Sequence, residues 1–246
     1  MLTVEKIGGT SMSQFDDVLK NIIGEPGTER FKFGRVFVVS AYGGVTNKLL
    51  EDKKTKAPGI YQIFVKGEDC ESALDELLEE LLKINEKFVA IGLDYEVAKK
   101  FLEERICLIK SYLHSMHEII SSGYVERENI FSSARELLAS LGEAHSAFNS
   151  VNILKNRGIP ARLVDLTGLR DSRQLTINER IELAFKDVDP FKEIVIVTGY
   201  TKGKEGIMRQ FERGYSEITF SRIATHLKAD EAIIHKEFHL SSADPK

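Results

Sequence analysis

"EKIGGTSM", residues 5–12, poses the first question about this chain. A hydrophobic run brings Lys6 to its end and then breaks at once into Gly8-Gly9-Thr10-Ser11. Three readings compete: a phosphate-binding loop, a dinucleotide fingerprint, and an ordinary strand-to-helix turn. The Walker pattern G-x-x-x-x-G-K-[ST] is absent because Lys6 precedes the glycines, and G-x-G-x-x-G is absent too. A plain turn accounts for the glycines but not for the lysine. An ammonium in the first strand of a covered sheet must leave at the strand end or find a counter-charge, and a ligand phosphate is one. The glycines would let backbone N–H groups approach it, with the Thr10 and Ser11 hydroxyls as further donors near a helix start. On this stretch alone the plain turn stays open.

The same design recurs downstream. "VVSAYGGVTN" (residues 38–47) again runs from strand to small hydroxyl residue to paired glycines, then to Thr46-Asn47. Two such ends side by side make a pocket rich in backbone donors. A further strand closes in "VTGY" (residues 197–200), followed by "GKEGIMRQFERGYSE" and a helix with Phe220, Ile223, Ala224 and Leu227 on one face. Ser216 is the expected cap of that helix, and Glu217 sits in its first turn, where the dipole favours an acid.

Five short runs read as strands: "LTVEKI" (2–7), "VFVVSA" (36–41), "ARLVDLT" (161–167), "EIVIVTG" (193–199) and "EAIIHK" (231–236). Most end in Gly, Ser or Thr, as covered parallel strands do. Helical stretches separate them, the first being "SQFDDVLKNII" (13–23), with Ser13 as its expected cap. Alternation of this kind predicts an α/β fold with an open parallel sheet, which binds ligands outside the carboxyl ends of its strands. From about residue 66 to residue 156 the chain reads as almost wholly helical. Leu137, Leu141, Ala144, Phe148 and Val151 make one face of a long helix. The block reads as a helical insertion on the α/β body; a coiled-coil partner surface is the alternative. The polar loop 51–60 is expected to be mobile.

Composition narrows the classes. The chain has 246 residues, 42% of them hydrophobic, and a net charge of -4, so no basic field favours nucleic acid. Its two cysteines, Cys70 and Cys107, form no metal-ligand pair and suit a reducing compartment; they read as a surface and a core thiol respectively. No signal-like start and no membrane-length apolar run appears, so a cytoplasmic globular protein without membrane contact is expected.

Taken together, K-[FI]-G-G-T-S, V-V-S-A-x-G-G-V-T-N, Gly142-Glu143 within a long helix, and R-G-x-S-[DE] at Arg213–Glu217 resemble aspartate kinase, a member of the amino-acid kinase family. The C-terminal stretch resembles the branch associated with ectoine biosynthesis. The resemblance implies a three-layer α/β/α sandwich with the helical insertion at about 66–156. It also implies transfer of the γ-phosphoryl group of ATP, carried with Mg2+, to the side-chain carboxylate of L-aspartate, in a homodimer. Lys6 would lie against the moving phosphoryl group, and Gly8, Gly9, Thr10 and Ser11 would serve the nucleotide. Ser40 and Thr46 would line the aspartate pocket, Glu143 would receive the substrate ammonium, and Arg213 would grip a carboxylate beside Ser216. Glu217 replaces a family aspartate near the catalytic lysines, and Tyr215 replaces a glycine, which would narrow the pocket. Lys246 stands where an arginine meets nucleotide phosphates. The family continues past this point with more of the nucleotide site and regulatory domains, so a fragment that binds aspartate but turns over weakly is expected. No dedicated metal site is expected.

Two alternatives remain at this stage: the same fold with another acceptor, and a catalytically silent amino-acid-binding or oligomerising module. His114 and His117, three apart on a helix, read as surface residues rather than a metal pair. His235 and His239 flank a strand end, close enough to the site to be weighed for nucleotide contact.

Overall fold

A computed structural model describes residues 1–52, 55–211 and 214–236. Each of the five apolar runs forms a strand: β1 (Thr3–Ile7), β2 (Arg35–Val39), β3 (Ala161–Val164), β4 (Ile194–Thr198) and β5 (Glu231–His235). They build one sheet in the order β3-β4-β2-β1-β5, and every neighbouring pair is parallel. β1, β2 and β4 are buried at every position, which is why they read as unbroken runs rather than alternations.

The helices are α1 (Gly9–Met12), α2 (Phe15–Val18), α3 (Val45–Leu49), α4 (Ile60–Lys66), α5 (Glu71–Val89), α6 (Tyr95–Ser122), α7 (Arg127–Asn156), α8 (Ile177–Phe185), α9 (Ile207–Phe211) and α10 (Tyr215–His226). A wider π turn, Leu19–Ile23, continues α2 and buries Leu19 and Ile23. The chain steps from β1 through β2 to the far edge at β3, then returns through β4 to β5 at the other edge. Right-handed crossovers therefore put α1–α7 on one face and α8–α10 on the other. The contacts agree: α7 lies against β2, β3 and β4, while α10 lies against β1, β2 and β5 and beside α8. Three layers result.

α7 departs from the amphipathic reading. Its apolar stripe is present, with Leu141, Ala144 and Val151 buried, but the opposite side is enclosed as well. α5 and α6 pack outside it, so α7 runs through the interior and carries Ser140, Glu143, His145, Ser146, Asn149 and Ser150 as buried polar residues. Within the helical block, Phe101 of α6 stacks on Phe148 of α7 at 3.9 Å between ring centroids.

A second polar element ties the strands together. Glu5, fully enclosed in β1, accepts from Arg35 Nε at 2.6 Å and Nη2 at 2.8 Å, from Thr3 Oγ1 at 2.8 Å, and pairs with His235 Nε2 at 2.7 Å. Arg35 belongs to β2 and His235 to β5, so one carboxylate clamps three neighbouring strands. Burial alone would raise its pKa; the bonds from His235, Arg35 and Thr3 overcome that and hold it at about 2.

Candidate active site

The connections leaving β2 and β4 lie on opposite faces, which opens a crevice outside their carboxyl ends. A cleft of about 290 Å³ lies there. Lys6, Gly9 and Thr10 reach it from the end of β1, and Ser40 to Gly44, Thr46 and Asn47 from the end of β2. Glu143 enters from α7, and Tyr215, Ser216 and Glu217 enter from α10. Eight residues singled out in the sequence therefore converge: Lys6, Gly9, Thr10, Ser40, Thr46, Glu143, Ser216 and Glu217. Gly8 and Ser11 flank the lining on the same turn. Arg213, His239 and Lys246 lie outside the described residues.

Close packing of backbone builds the walls. A Cβ on Gly9 would stand 2.6 Å from the Ala41 carbonyl oxygen, so only glycine lets the first loop lie this close to the second. Ser13 locks the pair: its hydroxyl donates to the Gly9 carbonyl at 3.2 Å and accepts the Gly43 N–H at 2.8 Å. This corrects the expected cap role, since α2 begins after Gln14 and Ser13 closes α1 instead. Gly142 does the same for α7. A Cβ there would sit 2.7 Å from the Ala41 Cβ, and its absence lets the helix reach the end of β2 and deliver the next residue, Glu143, into the cleft.

Lys6 is 8% exposed and its Nζ donates to Glu217 Oε1 at 2.9 Å. The longer acid at position 217 thus spans the cleft to the lysine. Glu143 is 2% exposed. Its Oε1 accepts the Ser216 hydroxyl at 2.6 Å, while Oε2 has no hydrogen-bond partner among the described residues. Burial drives its pKa up to about 8; the Ser216 hydroxyl, the Lys6 charge and the nearby Tyr200 amide pull it only part of the way back. Ser216 was expected to cap α10. The helix instead begins after Gly214 with no side-chain cap, because the Ser216 hydroxyl turns inward to the carboxyl group.

Several participants escaped the sequence reading. Ser146 donates to the Ser40 carbonyl at 2.8 Å and so joins α7 to the β2 loop. Behind it, Asn149 donates to Tyr42 Oη at 3.2 Å and to Asn85 Oδ1 at 2.7 Å, and His145 Nε2 lies 2.7 Å from the same Asn85 oxygen. Burial holds His145 near a pKa of 3, so it stays neutral. The available signal was the polar series Glu143, Ser146, Ser150 at helical spacing along α7. His235 is occupied by Glu5, and His114 and His117 are exposed on α6. No group of three or more His, Cys, Asp or Glu among the described residues is arranged to hold a metal ion. The two thiols are the reverse of the expectation: Cys70 is buried at the start of α5 and Cys107 is exposed on α6. No helix among the described residues is long and apolar enough to cross a membrane.

A profile of the amino acid kinase family matches residues 1–246. The chain belongs to this family. A curated family relative, aspartate kinase Ask_Ect of Stutzerimonas stutzeri (strain A1501), is 47% identical over 248 residues, which cover 100% of this chain and 52% of the relative. The aspartokinase of Schizosaccharomyces pombe (strain 972) is 22% identical over 263 residues, 99% of this chain and 47% of the relative. Among solved structures, E. coli aspartokinase III in complex with aspartate and ADP superposes with a TM-score of 0.61 at 21% identity, covering 95% of this chain and 48% of that one. The chain therefore spans about half the length of the family members it matches. Tyr215 is the buried first residue of α10, lines the cleft and packs edge-on against Tyr200 at 5.9 Å between centroids.

Proposed function

We propose that this cleft binds L-aspartate and that the protein to which it belongs is an aspartate kinase, transferring the γ-phosphoryl group of MgATP to the substrate side chain to give 4-phospho-L-aspartate. The observation that carries this reading is Glu143. A fully enclosed carboxyl group with one oxygen satisfied and the other unpaired among the described residues is costly unless a cation arrives. An α-ammonium at the cleft is the natural partner. Arg213 grips the α-carboxylate, while Ser40, Thr46 and Ser216 frame the rest of the amino acid. The side-chain carboxylate then projects toward Lys6.

A carboxylate is already ionised at neutral pH and needs no general base, so the chemistry reduces to alignment and charge neutralisation. The lining suits that division: among its described residues there is no histidine or cysteine, but one lysine aimed inward by an acid. Glu217 holds the Lys6 ammonium in place, and Lys6 offsets the charge building on the moving phosphoryl oxygens. Gly8, Gly9, Thr10, Ser11 and Lys246 serve the nucleotide phosphates. Mg2+ would arrive with the nucleotide phosphates and would help to offset their charge. The naming of Ask_Ect as an aspartate kinase, and the aspartate and ADP in the E. coli complex, support the same substrates. We place the enzyme in the cytoplasm as a homodimer, with residues 1–246 as one kinase domain and the 66–156 block as its helical insertion.

Calorimetric titration with L-aspartate tests the reading. The chain is expected to bind, and Glu143→Gln to weaken binding at least tenfold, the order of one charge-assisted contact. Lys6→Ala should leave aspartate affinity within about threefold yet cut hydroxylamine-trapped acyl phosphate in the whole enzyme by 10²-fold or more, as losing one preorganised charge does. No aspartate binding at millimolar concentration would refute it.

A further inference from the structure

Glu136 lies seven residues before Glu143 on α7, two turns back and on the same side of the helix, about 10 Å along the axis. It lines no part of the aspartate cleft, yet it is fully engaged. Its Oε2 accepts the Tyr200 hydroxyl at 2.7 Å. Its Oε1 accepts the Met208 N–H at 2.8 Å and the Arg209 N–H at 3.3 Å. Those two amides belong to the first turn of α9, where helical backbone has no partner of its own. The carboxylate therefore caps α9 from a different element.

Both arms lead to the site. Tyr200 follows β4, and its ring meets the Tyr215 ring edge-on at 5.9 Å and 76°. Tyr215 opens α10 and is followed directly by Ser216 and Glu217, the two residues that meet Glu143 and Lys6. α9, on the other arm, ends at Phe211, three residues before Gly214, which precedes α10. One rigid helix, α7, thus presents Glu143 to the substrate and grips the segment that must bring Ser216 up to it.

We propose that Glu136 is a positioning residue: through Tyr200 and α9 it fixes the entry of α10 so that the Ser216 hydroxyl meets Glu143. Its effect on aspartate rests on the functional reading above; its effect on the Ser216–Glu143 contact does not. Glutamine at 136 keeps an oxygen for the two α9 amides and an amide group beside the Tyr200 hydroxyl, which can accept. Alanine removes all three contacts. Tyr200→Phe removes one contact and keeps the ring on Tyr215.

Two measurements on this chain decide the matter. The first is the titration midpoint of the Glu143 carboxyl carbon by 13C NMR without ligand. Loss of the Ser216 hydroxyl favours the neutral acid, so Glu136→Ala is expected to move the midpoint upward, as a Ser216→Ala control does. Tyr200→Phe should move it less and Glu136→Gln least. The second is aspartate affinity by calorimetry. Glu136→Ala is expected to weaken it about tenfold or more, the scale of a lost charge-assisted bond, with Glu136→Gln within about threefold of wild type. If Glu136→Ala unfolds, Tyr200→Phe against Glu136→Gln provides the same contrast. A Glu143 midpoint unmoved by Glu136→Ala, or by Tyr200→Phe where alanine unfolds, overturns the proposal. If the unaltered chain binds no aspartate, the substrate reading fails and the ligand-free titration still decides this one.

Discussion

Binding of aspartate should expel a proton, and the structure sets how strongly. With its pKa raised to about 8, Glu143 is largely neutral in the open cleft at pH 7. Only a minor fraction, on the order of one carboxyl in ten, is then ionised, so producing the carboxylate that an ammonium needs costs on the order of 1 kcal/mol. Aspartate affinity should therefore climb ~50-fold between pH 6 and pH 8, following the ionised fraction. Calorimetry at pH 7 in two buffers of different ionisation enthalpy should report release of ~0.9 proton per aspartate bound. Glu143→Gln should abolish the release, flatten the pH profile and weaken binding. The same variant separates recognition from stability. Because the folded pKa lies above the unfolded 4.5, folding retains a proton between those values, and stability falls as pH rises from about 4.5 to about 8. The full effect is at most about 5 kcal/mol, so Glu143→Gln should melt higher than wild type at pH 8 while binding worse. Pronounced aspartate binding with no proton release and a flat profile would refute the reasoning.

Other outcomes follow from the packing. Glu5 is held at about 2, below its unfolded value, so its contribution of about 3 kcal/mol is intact above pH 4.5 and is lost as pH falls toward 2; acid unfolding followed by circular dichroism should show Glu5→Gln flatter than wild type in that window. Arg35→Ala strands Glu5 in the core and should cost about 3–5 kcal/mol in denaturant melts at pH 7. Gly142→Ala forces a methyl against Ala41 and should cost about 1–3 kcal/mol in the same melts while also weakening aspartate binding, since it pushes Glu143 from its place.

Much of this was legible before any coordinates. The five strands announce themselves because a sheet covered on both faces needs continuous β-rich runs, and β1, β2 and β4 are buried throughout. The cleft was legible too, since Lys6 and Ser40 stand at or just beyond strand ends and parallel sheets gather such ends, while Ser216 opens a helix in the connection that leaves β4. What stayed hidden depends on partners far away in the chain. Glu5 looks like an ordinary acid until pairing brings Arg35 and His235 beside it, 30 and 230 positions away. Ser216 and Ser13 have the residue type and placement of helix caps; tertiary partners drew them away, a buried carboxyl group that accepts from Ser216 and the Gly43 N–H that donates to Ser13. α7 misled for the opposite reason. Its serines, asparagine and histidine look like a wet face, and only the packing of α5 and α6 outside it turns them into an interior polar network.

The central claim is that the cleft recognises an ammonium group at Glu143. The affinity of L-aspartate against that of succinate, which lacks only the amino group, tests it most directly. At pH 8 succinate is expected to bind at least ~10²-fold more weakly, because it leaves the buried carboxyl unpaired and ionisable. Equal affinity for the two ligands would contradict the account.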